Sequence, residues 1–358
     1  NYLGMRDERD SGFLSPRKRL MRDARDFENG SPSAKHRRLS SELLAGAMLQ
    51  NDMSNESLTS EESLAANGRS FHWARRFLGE RMGHDAARLY AFCRVLDDMA
   101  DGDITGGPER LLVIREDLLA SRPGQDPALA GFYDFMQEKA FPPDVIVALI
   151  DGLLDDQKEE VALTSEADLL RYAYRVAGTV GLLMCHVLDC RDEQARAHAI
   201  DLGIAMQLTN IARDVLEDAE MDRRYIPGDW VCGASPATIR EAARSPDGPV
   251  ARKVTAAVER LLALADTFYA SGGCGYRYLP ARAHLAIAIA ARVYRQIGVQ
   301  LADRDHAWHA GRQVTSGVSK AACTLQALHT LPGRFGLQRS VAHDRSLHAP
   351  LRGLPYVA

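Results

Sequence analysis

Several residue patterns are scarce in this 358-residue chain, and each scarcity removes a class of answer. Cysteine is limited to six scattered positions (93, 185, 190, 232, 274 and 323) with no C-x-x-C pair. That scatter argues for a reduced, cytosolic chain without structural zinc. No apolar run reaches eighteen residues, and the longest, such as 285–291, have the length of a buried helix. A membrane-spanning helix is therefore excluded. A basic surplus is also missing: 44 Lys and Arg against 48 Asp and Glu give a formal charge of −4, which speaks against a nucleic-acid partner. The N-terminus carries no apolar h-region, so no secretory signal is read there. The first residue is Asn1 rather than methionine, as in a fragment or processed product, and Met53 offers an alternative natural start.

A hydrophobic fraction of 46% and a charged fraction of 26% fit a soluble globular protein and exclude disorder of the whole chain. Residues 1–68 stand apart, with Arg17, Lys18, Arg19, Arg22 and Arg25 mixed among Asp, Glu and Ser and few aromatics; their composition predicts a disordered tail. From about Ser70 onward the apolar spacing is helical, with Val and Ile thin and no alternating strand pattern of useful length. The expected helices include 84–101, 166–188, 192–219, 250–271 and 280–302. The fold class read from this pattern is an all-α bundle over 69–330, followed by an irregular C-terminal tail over 331–358.

Two of these helices are acidic, about 115 positions apart. In the first, Asp97 and Asp101 are one turn apart on one face, Arg94 borders that face, and Asp98 is rotated by roughly 100°. In the second, Gln207, Asn210, Asp214 and Asp218 form a stripe over three turns, with Arg213 and Glu217 beside it. Like charges at i, i+4 destabilise an isolated helix by ~0.2–0.5 kcal/mol per pair, and a single D-x-x-x-D is most often a solvated surface feature. Here both clusters sit inside strongly apolar helices, and each has a cationic neighbour and neutral amide or phenol donors. Carboxylates converging from two facing helices call for a cation between them. Hard oxygen donors at this spacing suit Mg2+, which commonly bridges to substrate phosphates, while Arg94 and Arg213 can hold diphosphate oxygens. The chemistry implied is departure of diphosphate from carbon beside an apolar cavity that shelters a carbocation.

These motifs resemble those of the squalene/phytoene synthase family, the head-to-head isoprenoid synthases, and most closely their bacterial phytoene synthases. Tyr90–Asp101 resembles the family's first aspartate motif and Asn210–Asp218 its N-x-x-R-D-x-x-x-D signature. Tyr172–Gly181 resembles the Y-x-V-A-G-x-V-G segment, and Ala290–Gly298 a late helix of bacterial phytoene synthases. The likeness spans about 70–325. It implies a single-domain isoprenoid-synthase bundle around a central cavity, with 69–330 as the catalytic domain. It implies Mg2+-dependent condensation of two prenyl diphosphates, with geranylgeranyl diphosphate expected, through a cyclopropylcarbinyl diphosphate to phytoene with release of diphosphate. Mn2+ is an accepted substitute cation in this expectation. Carried over, Asp97, Asp101, Asn210, Asp214 and Asp218 would hold metal. Arg94, Arg213 and Tyr172 would join the catalytic aspartates, and Ser70, Phe71, Tyr90, Gln207, Tyr294 and Arg312 would bind or shape the substrate site.

The principal alternative is squalene or dehydrosqualene formation from farnesyl diphosphate, with NADPH needed only for squalene. A non-catalytic relative serving as an assembly protein is the alternative of another class. The greasy product leaves room for peripheral contact with a membrane, and the oligomeric state is open. One departure stands out: the family usually has Gly before the Arg of its Y-L-P element, whereas this chain has Asp222 before Arg223-Arg224-Tyr225-Ile226-Pro227. Asp takes positive φ less freely than Gly, which puts the loop's path in question. His72, His84 and His186 have no partner histidine at ligand spacing and read as packed or surface residues. His306 and His309 read as part of a lid or a helix end, and Gly178 and Gly181 as a helix-packing pair.

Overall fold

A computed structural model describes residues 73–157, 161–310, 316–335 and 342–357. The tail over 1–68, together with Ser70, Phe71, His72 and Arg312, lies outside the described residues. The helices are α1 (Glu80–Ala100), α2 (Gly107–Leu119), α3 (Pro127–Glu138), α4 (Pro143–Asp155), α5 (Glu166–Ala173), α6 (Thr179–Val187), α7 (Gln194–Arg213), α8 (Val215–Glu220), α9 (Pro236–Ala242), α10 (Pro249–Cys274), α11 (Ala281–Ala302) and α12 (Gly317–Ala327). Their starts follow local chemistry. Asp126 caps α3 ahead of Pro127, Ser165 and Asp168 form a reciprocal capping box on α5, and Ser235 and Ser316 cap α9 and α12. The all-α expectation holds. Extended pairing among the described residues is limited to β1 (Val161–Ala162) and β2 (Arg223–Arg224), two residues each and parallel, in register Val161 to Arg223.

Two long helical expectations are met with a local change of winding in one and a break in the other. The run 166–188 is continuous, but its middle, Tyr174–Gly178, winds as a π-helix that starts two residues after Tyr172. The run 192–219 breaks at Asp214, whose φ of −103° and ψ of 17° end α7 and begin α8. The i to i+4 backbone bonds survive on both sides of the break, from Asp214 N–H to Asn210 and from Asp218 N–H to Asp214, so the acidic stripe keeps its spacing.

α7 is the central helix. It packs most extensively on α10 and also touches α6, the π segment and α11. Its crossing with the π segment and α6 depends on missing side chains: a Cβ at Gly203 would stand 2.3 Å from the Ala177 carbonyl oxygen, and one at Gly181 2.2 Å from that of Ala199. Gly181 is thus the packing glycine its spacing suggested. Residues 342–357 return to the bundle. His348 and Leu351 are buried, Arg171 donates to the carbonyls of Pro350 and Arg352, and the Tyr174 hydroxyl donates to that of Pro355.

Candidate active site

On α1, Arg94 is the organising cation. One guanidinium nitrogen donates to Asp97 at 2.8 Å and the other to Asp98 at 2.5 Å, with the arginine side chain 19% exposed. Asp101, at the C-terminal end of α1, faces Arg223 at 3.7 Å. At the α7–α8 break, Arg213 grips Asp214 with both arms of its fork, at 2.7 and 2.5 Å. Asn210 donates to Gln207 Oε1 at 3.4 Å, so the amide pair is linked along the same stripe.

Arg223 reaches this cluster because β2, short as it is, alternates its side chains. Arg223 turns to the carboxylates, while the buried Arg224 turns the other way and donates to the carbonyls of Leu163 and Ile226. The loop before it is held by Asp222 at φ 57°, the left-handed position the sequence had put in question. Arg240 secures it, donating to the Asp222 carboxylate at 2.7 Å and to the Ala219 carbonyl at 2.8 Å.

Behind the carboxylates lies a tyrosine pair. Tyr172 and Tyr225 stack with centroids 4.7 Å apart, and their hydroxyls donate to the two oxygens of Asp156 at 2.8 and 3.0 Å. Burial pushes the Asp156 carboxyl up to about 6, against the lowering effect of these bonds and of Arg223. Asp218 is held well above the usual carboxylate range, chiefly by burial and then by Asp214, with Arg223 opposing and Glu217 and Asp156 adding to the rise. Tyr90 is raised by burial, and both Arg94 and Tyr294 act on it; Tyr294 in turn acts on Arg213. These mutual fields join α1, the α7–α8 break, β2 and α11 in one site.

The structure therefore brings together Tyr90, Arg94, Asp97, Asp101, Tyr172, Gln207, Asn210, Arg213, Asp214, Asp218 and Tyr294, whereas Ser70, Phe71 and Arg312 lie outside the described residues. The spacing argument missed Asp156, Arg223 and Tyr225. The doubled Asp155-Asp156 at a helix end and the doubled Arg223-Arg224 were the available signals. A cavity of about 440 Å³ opens elsewhere, between α10, α11 and the segment after α12, among Asp266, Tyr276, Arg277, Arg292 and Arg295. None of Asp97, Asp98, Asp101, Asp156, Asp214 and Asp218 lines it.

Residues 64–319 match the squalene/phytoene synthase family. The chain is 38% identical to a 15-cis-phytoene synthase from a Paracoccus strain over 267 residues, covering 70% of this chain and 83% of that one. It is 36% identical to a phytoene synthase from Pseudescherichia vulneris, covering 74% and 89%. The chain belongs to the squalene/phytoene synthase family. It is accordingly a prenyltransferase of the phytoene/squalene synthase type. The fold agrees: a solved dehydrosqualene synthase superposes with a TM-score of 0.67 at 23% identity, covering 79% of this chain and 99% of that one. A squalene synthase from Alicyclobacillus acidocaldarius gives 0.59 at 19% identity, covering 71% and 95%.

The donor set fits a divalent cation of the hard kind. It is all oxygen, and Asp218 is buried among Asp214, Glu217 and Asp156 with Arg223 as the opposing cation.

Proposed function

We propose that this chain condenses two molecules of geranylgeranyl diphosphate head to head into phytoene, releasing diphosphate. The observation that carries the reading is a pair of arginine-laced carboxylate clusters, Arg94 with Asp97 and Asp98, and Arg213 with Asp214, linked by Arg223, which lies 3.7 Å from Asp101 and acts electrostatically on Asp218. Mg2+ is the cation proposed for Asp97, Asp101, Asn210, Asp214 and Asp218. When bound, it neutralises diphosphate charge and so eases departure of the leaving group.

The protein's own groups do the rest. Arg94, Arg213 and Arg223 offer forked donors to diphosphate oxygens, and each is already oriented by a carboxylate. Burial holds the Tyr90 hydroxyl in its neutral form, and Tyr294 is the second phenol proposed to line the substrate site. Tyr172 and Tyr225, stacked and anchored on Asp156, are the aromatic groups proposed to give a developing carbocation electrostatic support.

Incubating the purified chain with geranylgeranyl or farnesyl diphosphate and Mg2+, with and without NADPH, tests the reading by product mass. A C40 hydrocarbon formed without NADPH is expected. A C30 product assigns dehydrosqualene or squalene formation instead, and no turnover by folded protein assigns a non-catalytic role.

Contact with a membrane surface is part of this proposal. Among the described residues no helix is long and apolar enough to cross a membrane. α12 nevertheless turns Val318 and Leu325 outward, 83% and 68% exposed, with Leu328 just beyond it. Vesicle flotation of the chain, lost in Val318→Glu/Leu325→Glu, is the expected result.

A further inference from the structure

Asp201, in the middle of α7, is fully buried at 0% exposure. No lysine or arginine among the described residues pairs with it; its partners are imidazoles and a hydroxyl. His343 Nε2 lies 2.8 Å from one carboxylate oxygen and His348 Nε2 2.7 Å from the other, while the Ser271 hydroxyl of α10 donates to the first. The one carboxylate oxygen and the two nitrogens fall within 4.8 Å of one another. A third imidazole, that of His198 one turn back on α7, stands with its ring centroid 5.3 Å from that of His343. It is 3% exposed, and its Nδ1 has no hydrogen-bond partner.

We propose that Asp201, His343 and His348 bind a first-row divalent transition metal, zinc suiting them best, which clasps the C-terminal segment to α7. Two imidazoles and one carboxylate form a ligand set of the kind that holds such an ion with a position left for water. Ligand distances of ~2.0–2.2 Å require the hydrogen-bonded donors to part by roughly 0.5 Å, within reach of side-chain rotation. The ion supplies the positive charge that the buried carboxylate lacks. Ser271 then orients the carboxylate from behind, and a metal-bound water is the partner that His198 Nδ1 lacks. The scattered cysteines bear only on thiolate sites, and His343 and His348 lie beyond the residues that match the family. The site is thus separate from the acidic one, which is all oxygen.

The test counts metal on the intact chain. After chelation and return to excess Mg2+, which favours oxygen donors, the chain is titrated with zinc and desalted. One retained equivalent is expected, lost in His343→Ala and in His348→Gln but kept in Asp97→Asn/Asp214→Asn. No retained zinc, or an equivalent that disappears with the aspartates and survives the histidine changes, overturns the site. A melting temperature that falls in the histidine variants while the parent chain takes up no zinc assigns a hydrogen-bond clamp and overturns it equally. Should the histidine variants fail to fold, Co2+ bound to the parent chain decides. Intense visible bands of a nitrogen-ligated, low-coordinate ion support the site, and the pale spectrum of six oxygens refutes it.

Discussion

Asp218 is the carboxylate with least room for its own charge. Burial and the fields of Asp214, Glu217 and Asp156 all oppose ionisation, with Arg223 pulling the other way. Asp218→Asn should therefore leave the melting temperature of the cation-free chain unchanged or raised, while turnover falls by ~10²-fold or more as a preorganised charge is lost. A clear drop in melting temperature would mean that the aspartate is structural. Asp156 gives a pH signature. Its carboxyl sits near 6 when folded against 3.8 as a free side chain, so the folded state holds its proton more tightly. The associated stability is present at pH below about 4 and is lost as pH rises through about 6. Thermal melts of the cation-free chain between pH 4 and 7 should show this decline, and Asp156→Asn should flatten it. Asp97, Asp101, Asp214 and Asp218 were legible from helical spacing because the chemistry repeats at i, i+4. Asp156 and Arg223 were not, since each depends on an element that pairs with something distant in sequence.

Among the elements, the Asp222 loop and the α7 crossing invite separate measurements. A left-handed non-glycine residue costs ~1–2 kcal/mol, and an exposed ion pair such as Arg240–Asp222 returns ~0–1 kcal/mol. Asp222→Gly removes both terms and should be nearly neutral. Asp222→Ala keeps the strain and loses the pair, so a loss of up to ~1 kcal/mol is expected in urea unfolding. Gly203→Ala is a harder case. Its Cβ meets backbone at 2.3 Å, which rotation of a side chain cannot relieve, so the helices must separate at a cost of ~1–3 kcal/mol or more. The packing glycine at 181 could be read from sequence because small residues at helical spacing mark close approach. The break at Asp214 could not, since apolar periodicity runs through it and the i to i+4 bonds persist on either side.

At the scale of the molecule, an irregular ending over 331–358 was all that composition gave, because 3₁₀ turns have no strong period. Residues 345–351 in fact form such a turn and are anchored: Leu351 is fully buried, and Arg171 and Tyr174 donate to backbone carbonyls of 350, 352 and 355. Those two side chains flank Tyr172, so the terminal segment braces the helix that carries the tyrosine pair. Truncation after 341 removes a buried leucine worth ~1.5–3 kcal/mol and hydrogen bonds worth ~1 kcal/mol each, less the entropy of ordering the segment. With ~2–4 °C per kcal/mol for a domain of this class, a fall of several degrees is expected, with reduced kcat as Tyr172 loses its support. Measured in the presence of chelator, the comparison reads packing alone and is blind to any ion at His343 and His348. Deleting 1–52 is the matching control: it leaves the family-matched residues 64–319 whole, so activity should persist. Equal melting temperatures and equal kcat for the chain ending at 341 and the full chain would show that the terminal segment rests on the bundle without bracing it.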